Sequence, residues 1–273
     1  MSTRKGVDFL ADIARDRRKR IDEMKLERPE AMLRTQLGAT RAPGRLERAL
    51  QRASHDAPLN LLCEVKRASP SKGVLHEHVD PVATAKLYER GGAAAVSLVT
   101  EPDHFQGDPR WMDQVRPTVV LPLLLKDFVI DRYQLLDAAA RGADAVLLLA
   151  ALLDTAQMTE LIAEARALAL DCLVEVHDGD EMEAALSAGA RIVGINNRSL
   201  HTFVVDLDTS VELLPRIPAD RIAVAESGLS RPEDLLRLRE TRCDAVLMGE
   251  VFMTSPDPAA TLARMQAAAR GTT

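Results

Sequence analysis

Glu64 and Lys66 stand two positions apart in the apolar run of CEVKRASPSKG, residues 63–73. Successive side chains of a β-strand alternate between faces, so this acid and this base share one. The pattern recurs in Leu124-Lys126-Phe128 and Leu173-Glu175-His177, where a charge again shares a face with apolar neighbours. A solvent-facing strand end would account for Asp127 or His177 without any function. It does not account for Glu64, Lys66, Lys126 and Glu175, which fall inside their runs, where an unpaired charge is costly. Lysines and carboxylates gathered on one partly buried surface shift each other's pKa values and suit general acid and base catalysis.

Later runs also end in polar groups: Asn196, Asn197 and Arg198; Glu226, Ser227 and Gly228; Gly249 and Glu250. In AESGLS and LMGEVF, backbone N–H groups at the strand end and a short following helix can cradle a phosphate, and glycine admits close approach of an anion. Other constellations carry less. His76 and His78 form H-x-H, yet no further ligand follows at metal spacing, and His55 and His201 read as loop residues. No G-x-S-x-G elbow occurs. Cys63, Cys172 and Cys243 lie far apart without C-x-x-C spacing and read as buried thiols of a reducing compartment.

The elements that must position these groups are apolar runs: LNLLCEVKR, AAAVSLVT, LPLLLKDF, DAVLLLA, DCLVEVH, RIVGINN, RIAVAES and DAVLMGE. Between them the periodicity is helical. Asp80-Pro81 opens one such segment and Gly91-Gly92 closes it, and Pro232 marks another start. GGAAAV, GADAV, AGARIV and CDAV precede the second, fourth, sixth and eighth runs, a faint repeat of a strand–helix unit. Alternating units with nearly continuous apolar strands predict an α/β fold, a (β/α)8 TIM barrel, whose active site lies at the C-terminal ends of the strands. A doubly wound sheet is the runner-up, but no G-x-G-x-x-G follows the first strand. Residues 1–55 stand outside the repeat and read as an N-terminal helical extension packed on a barrel of residues 56–273. Its first helix carries Val7, Leu10, Ile13 and Ala14 on one stripe and ends before Pro29.

Composition narrows the function. The 273 residues carry a net charge of −6, which excludes nucleic acid as a bulk electrostatic partner, so any bound anion needs a local site. No run approaches the roughly 18 apolar residues of a membrane span, and MSTRKGVDFLADIARDRRKR has no apolar signal core. A cytoplasmic protein is expected, with no membrane partner. Only 3% of the chain is aromatic, so the core must be aliphatic.

With EVKRASPSKG, SLVTE followed by FQG, LPLLLKDFVID, LVEVHD, GINNRSL, AESGLS and LMGE in order over almost the whole chain, the sequence resembles the indole-3-glycerol phosphate synthase family of tryptophan biosynthesis. The resemblance implies a reaction without metal or cofactor on a phosphorylated small molecule, 1-(2-carboxyphenylamino)-1-deoxyribulose 5-phosphate, in a monomer or weak homodimer. It gives Lys126 the role of general acid, Glu175 a role in proton transfer, and the Lys66–Glu64 pair the dehydration. Asn196 and Arg198 would hold the carboxylate and hydroxyls of the substrate, and Glu226 would orient its neighbours. Phe128 and Leu147 would line the aryl pocket, and Ser69 would belong to the loop over the ligand. Ser227, Gly228, Gly249 and the backbone of Glu250 would take the phosphate. His104, Leu125 and Val251 depart from the family pattern. Rival readings are a Schiff-base aldolase built on Lys126, a sugar-phosphate isomerase, or a catalytically silent barrel that binds a phosphorylated ligand.

Overall fold

The computed structural model describes residues 3–38, 42–200 and 202–272, with side chains from Leu10 onward, so the side chain of Val7 and all of His201 lie outside it. Eight parallel strands close into a barrel: β1 (Asn60–Val65), β2 (Ala95–Val99), β3 (Leu123–Lys126), β4 (Ala145–Leu149), β5 (Asp171–Val176), β6 (Ile192–Asn196), β7 (Ile222–Glu226) and β8 (Ala245–Met248). Each pairs with its neighbours in the chain, and β8 returns to β1 with Asn60 opposite Ala245. The expected (β/α)8 barrel is therefore the fold. The strands are shorter than the runs that announced them. Lys66, Phe128 and His177 fall just past the strand ends, although the alternation of faces carries through.

Both strand faces are buried, which is why the runs read as nearly continuous apolar sequence. Leu62, Leu124, Leu147, Leu173, Val224 and Leu247 fill the barrel interior. Cys63, Val65, Val96, Leu125, Val146 and Val174 face outward beneath the helices. All three cysteines are free and buried. The helices are α1 (Thr3–Glu27), α2 (Glu30–Gln36), α3 (Arg45–Leu50), α4 (Pro81–Arg90), α5 (Arg110–Val115), α6 (Arg132–Arg141), α7 (Thr155–Ala167), α8 (Gly179–Ser187), α9 (Asp208–Leu213), α10 (Pro232–Arg239), α11 (Glu250–Met253) and α12 (Pro258–Arg270). Asp80 caps α4 by accepting from the N–H groups of Val82 and Ala83, with Pro81 in the first turn. Among the described residues no helix is long and apolar enough to cross a membrane.

The N-terminal segment touches both ends of the barrel. Leu46 and Leu50 of α3 join the interior cluster, and the Asp171 carboxylate accepts from the N–H groups of Gly44, Leu46 and Glu47 at 3.0, 2.8 and 3.1 Å. Ile13 of α1 joins the same cluster beside the cavity described below. The buried stripe of α1 includes a charge that periodicity did not single out. Arg17, 3% exposed, lies 3.0 Å from Asp127, the residue after Lys126. Solvent contact thus does not explain Asp127. It is buried and paired, and it also accepts from the N–H of Phe128 at 2.7 Å.

Candidate active site

A cavity of about 600 Å³ opens at the C-terminal ends of the strands. Glu64, Lys66, Lys126, Glu175, Asn196 and Glu226 all line it, together with Ser69, Phe128, Leu147, Arg198, Ser227, Gly228, Gly249 and Glu250. Every site residue named from the sequence reaches one space. The register explains the convergence. Asn196 lies opposite Glu226 across β6 and β7, and Glu175 lies opposite Leu149 across β4 and β5.

Lys126 is the hub. Its Nζ lies 2.5 Å from Glu226 Oε2 and 3.2 Å from Glu175 Oε2. Burial alone would lower the Lys126 pKa, but the carboxylates of Glu226, Glu175 and Glu64 outweigh it and hold the ammonium above its ordinary range. Burial would raise Glu175, yet Lys126, His177 and the 2.8 Å hydrogen bond from Asn196 Nδ2 keep it well below the usual carboxylate range. Glu226 goes the other way. Burial, with repulsion from Glu175 and Glu64, pushes it up to about 7 against the pull of Lys126. Of the two carboxylates on Lys126, Glu226 is the one that takes up a proton first.

A second pair stands across the mouth. Lys66 Nζ lies 2.8 Å from Glu64 Oε1, and Ser97 Oγ is 3.5 Å from Glu64 Oε2. Glu64 also explains Gly249. A Cβ built there would lie 2.8 Å from Glu64 Cβ and 2.9 Å from Glu64 Oε1, so the Glu64 side chain packs where a larger residue would need room. Ser227 and Gly228 both have positive φ, +65° and +76°, which turns the chain sharply at the end of β7. Arg198 Nη1 is 3.0 Å from Ser71 Oγ, while its Nη2 lies 3.6 Å from Glu250 Oε2. Glu250 also approaches Lys72 at 3.8 Å, so its carboxylate joins the loop after β1 to the loop after β6. That first loop is a short hairpin in which Ala68–Ser69 pairs with Gly73–Val74.

The apolar wall holds Phe128 and Leu147, as expected, and also Leu10 and Ile13 of the α1 stripe and Phe105 of FQG, which the sequence did not place at the site. Phe105 and Phe128 meet with ring centroids 5.9 Å apart. Phe105 sits in a loop whose N–H groups from Asp103 to Phe105 bind the buried Glu101 carboxylate, a tertiary feature with no local periodicity. Asn197, the neighbour of Asn196, does not line the cavity. It holds β6 to β7 by donating to the Ser227 carbonyl at 3.1 Å. His177 is only 11% exposed and packs behind Glu175, so solvent contact does not explain it either. His76 and His78 are exposed, and among the described residues no group of three or more His, Cys, Asp or Glu gathers at metal-binding distance.

Of the residues that depart from the family pattern, His104 approaches Asp16 of α1 at 3.6 Å and Leu125 faces the outer core. Val251 packs partly buried at the edge of the cavity.

Comparison with known proteins agrees with this geometry. The sequence profile of the family described as indole-3-glycerol phosphate synthase matches residues 10–265. The indole-3-glycerol phosphate synthase of Ruminiclostridium cellulolyticum is 42% identical over 261 residues, spanning 96% of this chain and 100% of that protein. The enzyme of the same name from Burkholderia vietnamiensis is 46% identical over 245 residues, 90% of each chain. Among solved structures, KGPDC from Streptococcus mutans superposes with a TM-score of 0.62 at 12% identity, covering 78% of this chain and 98% of that one. The 3-hexulose-6-phosphate synthase of Salmonella typhimurium gives 0.62 at 13% identity, covering 77% and 98%. At such identities the structural likeness concerns the barrel alone.

Proposed function

The chain belongs to the indole-3-glycerol phosphate synthase family, and from that membership and the geometry of the mouth we propose how its residues divide the work. The reaction is that of a carbon–carbon lyase of tryptophan biosynthesis. It closes, decarboxylates and dehydrates 1-(2-carboxyphenylamino)-1-deoxyribulose 5-phosphate to indole-3-glycerol phosphate. The aryl carbon that bears the carboxylate attacks the ribulose carbonyl, forming the new carbon–carbon bond. Carbon dioxide then leaves and restores the aromatic ring. Loss of the former carbonyl oxygen as water, with a proton from the adjacent CH2 carbon, completes the indole.

Lys126 protonates the carbonyl oxygen as the ring closes. The observation that carries this is its ammonium, held charged between two carboxylates at 2.5 and 3.2 Å in the cavity. A Schiff-base nucleophile needs the opposite, a neutral amine. Glu175 receives the anilino proton as nitrogen pushes electrons into the ring and returns it to nitrogen as carbon dioxide leaves, and Asn196 fixes its direction. Glu226 orients Lys126. The Lys66–Glu64 pair protonates the departing hydroxyl. Phe128 and Leu147, joined by Phe105, receive the aryl ring, and Arg198 receives the substrate carboxylate. Ser227, Gly228, Gly249 and the backbone of Glu250 take the phosphate, and Ser69 belongs to the loop that covers it.

From the same family membership the protein is proposed to act in the cytoplasm, as a monomer or weak homodimer and without cofactor. The extension of residues 1–55 and the barrel of 56–273 act as one structural unit, since Ile13, Leu46 and Leu50 belong to the barrel's interior cluster. The decisive experiment supplies the carboxyphenylamino ribulose phosphate to the purified protein and follows indole fluorescence. A flat trace, with the ligand bound, would favour the silent-barrel reading.

A further inference from the structure

His177 does not line the cavity, yet it touches the residue that does the proton transfer. Its Nε2 lies 3.4 Å from Glu175 Oε1, long for a hydrogen bond but close for two opposite charges. Its Nδ1 lies 3.0 Å from Glu181 Oε2, and that same oxygen accepts the backbone N–H of His177 at 2.7 Å. Glu181 is itself fixed, because it belongs to the first turn of α8, where Asp178 accepts its N–H at 2.9 Å. The imidazole is thus clamped between a carboxylate from the helix and one from the end of β5. Its Nε2 is buried with no hydrogen-bond partner, aimed toward Glu175.

We propose that His177, held as an imidazolium by Glu181, is a positioning residue that keeps Glu175 ionised and aimed after Lys126 turns to the substrate. At rest Glu175 has Lys126 as its nearest cation at 3.2 Å. Catalysis by Lys126 requires that ammonium to move toward the carbonyl oxygen and then to lose its proton. Glu175 would then keep only Asn196 among the groups in the cavity, facing the carboxylate of Glu226, with Glu64 farther across the mouth. His177 supplies the charge that does not leave. Burial would lower its pKa, but Glu175 and Glu181 carry it up to about 10, so it stays charged throughout the neutral range.

The inference rests on the assignment of Glu175 to proton transfer, so Glu175→Gln is measured beside two other variants with the carboxyphenylamino ribulose phosphate as substrate. His177→Asn removes the charge. Its kcat should fall by roughly 10- to 100-fold with KM nearly unchanged, and the acid limb of its kcat profile, which reports the substrate complex, should move up by about one pH unit or more. Glu181→Gln keeps an acceptor for both N–H groups but removes the charge that sustains the imidazolium. It should be nearly parental below about pH 6.5, with a deficit that grows as the pH rises. A purely structural role would leave both pH profiles in place. Parental kcat in His177→Asn, an unshifted acid limb, or a pH-independent deficit in Glu181→Gln would each overturn the proposal. Full activity in Glu175→Gln would instead remove the base assignment itself.

Discussion

The Glu226 carboxylate reaches over Gly194, which lies on β6 two positions before Asn196, the residue opposite Glu226. A Cβ built on that glycine would stand 2.1 Å from Glu226 Oε1 and 3.1 Å from Leu173 Cδ1. Gly194 has ordinary strand geometry, so what excludes a methyl group is the carboxylate above it. Gly194→Ala is expected to push Glu226 off its 2.5 Å contact with Lys126. The far end of a side chain moves cheaply, so Tm should fall by only a few degrees. Misplaced by an ångström or so, the hub should lose on the order of 100-fold in kcat. A melting temperature far below the parent, or parental kcat, would show that Glu226 does not act through this position.

Lys126→Ala removes the proposed acid and leaves Glu226 facing Glu175 without a cation of its own. The fold should persist, because Glu226, already raised to about 7 by burial and its neighbours, then takes up a proton. Turnover should drop by about 1,000-fold or more, the range expected for loss of a positioned proton donor. Indole fluorescence gives the rate and circular dichroism the fold. Near-parental turnover would remove the acid assignment.

Much of this site was legible because barrel strands convert a period of two into a face. Glu64, Lys66, Lys126 and Glu175 could each be placed on the inner side of an apolar strand, and the fold then brought them together. What sequence could not carry is pairing between distant segments. Arg17 and Asp127 are 110 positions apart, so half of a buried ion pair read as a solvent-facing strand end and the other half went unremarked. Nothing near Gly249 in sequence announces that its Cβ side is filled by Glu64, from the strand that closes the barrel. His177 read as a polar strand end because its clamp, Glu181, sits one turn into the following helix.

Glu250 holds Arg198 at 3.6 Å and Lys72 at 3.8 Å, beside the surface assigned to phosphate. A substrate anion must therefore compete with this carboxylate for Arg198. Glu250→Gln should lower KM several-fold with kcat unchanged, because it removes a ground-state competitor and no reacting group. Arg198→Met should raise KM by a comparable or larger factor. An increase in KM for Glu250→Gln would mean that the carboxylate orders the two loops for binding rather than competing with the ligand.

The buried pair between α1 and the end of β3 makes a prediction with a definite sign. Burial outweighs Arg17 and lifts the Asp127 carboxyl to about 6, above its ordinary value near 4. A raised carboxyl contributes stability that is fully present below the unfolded pKa and is lost as the pH rises through about 6. Arg17→Met keeps much of the apolar stem but removes the only cation paired with Asp127 among the described residues. The folded-state pKa must then rise further, and above pH 7 the carboxylate would be buried without compensation. The variant should lose about 3–5 kcal/mol at pH 8, the usual consequence of breaking a buried pair from one side. In acid the parent's Asp127 is itself protonated, so the difference between variant and parent should shrink steadily toward pH 4. Urea unfolding at pH 5 and pH 8 distinguishes this from lost packing, which would give the same deficit at both.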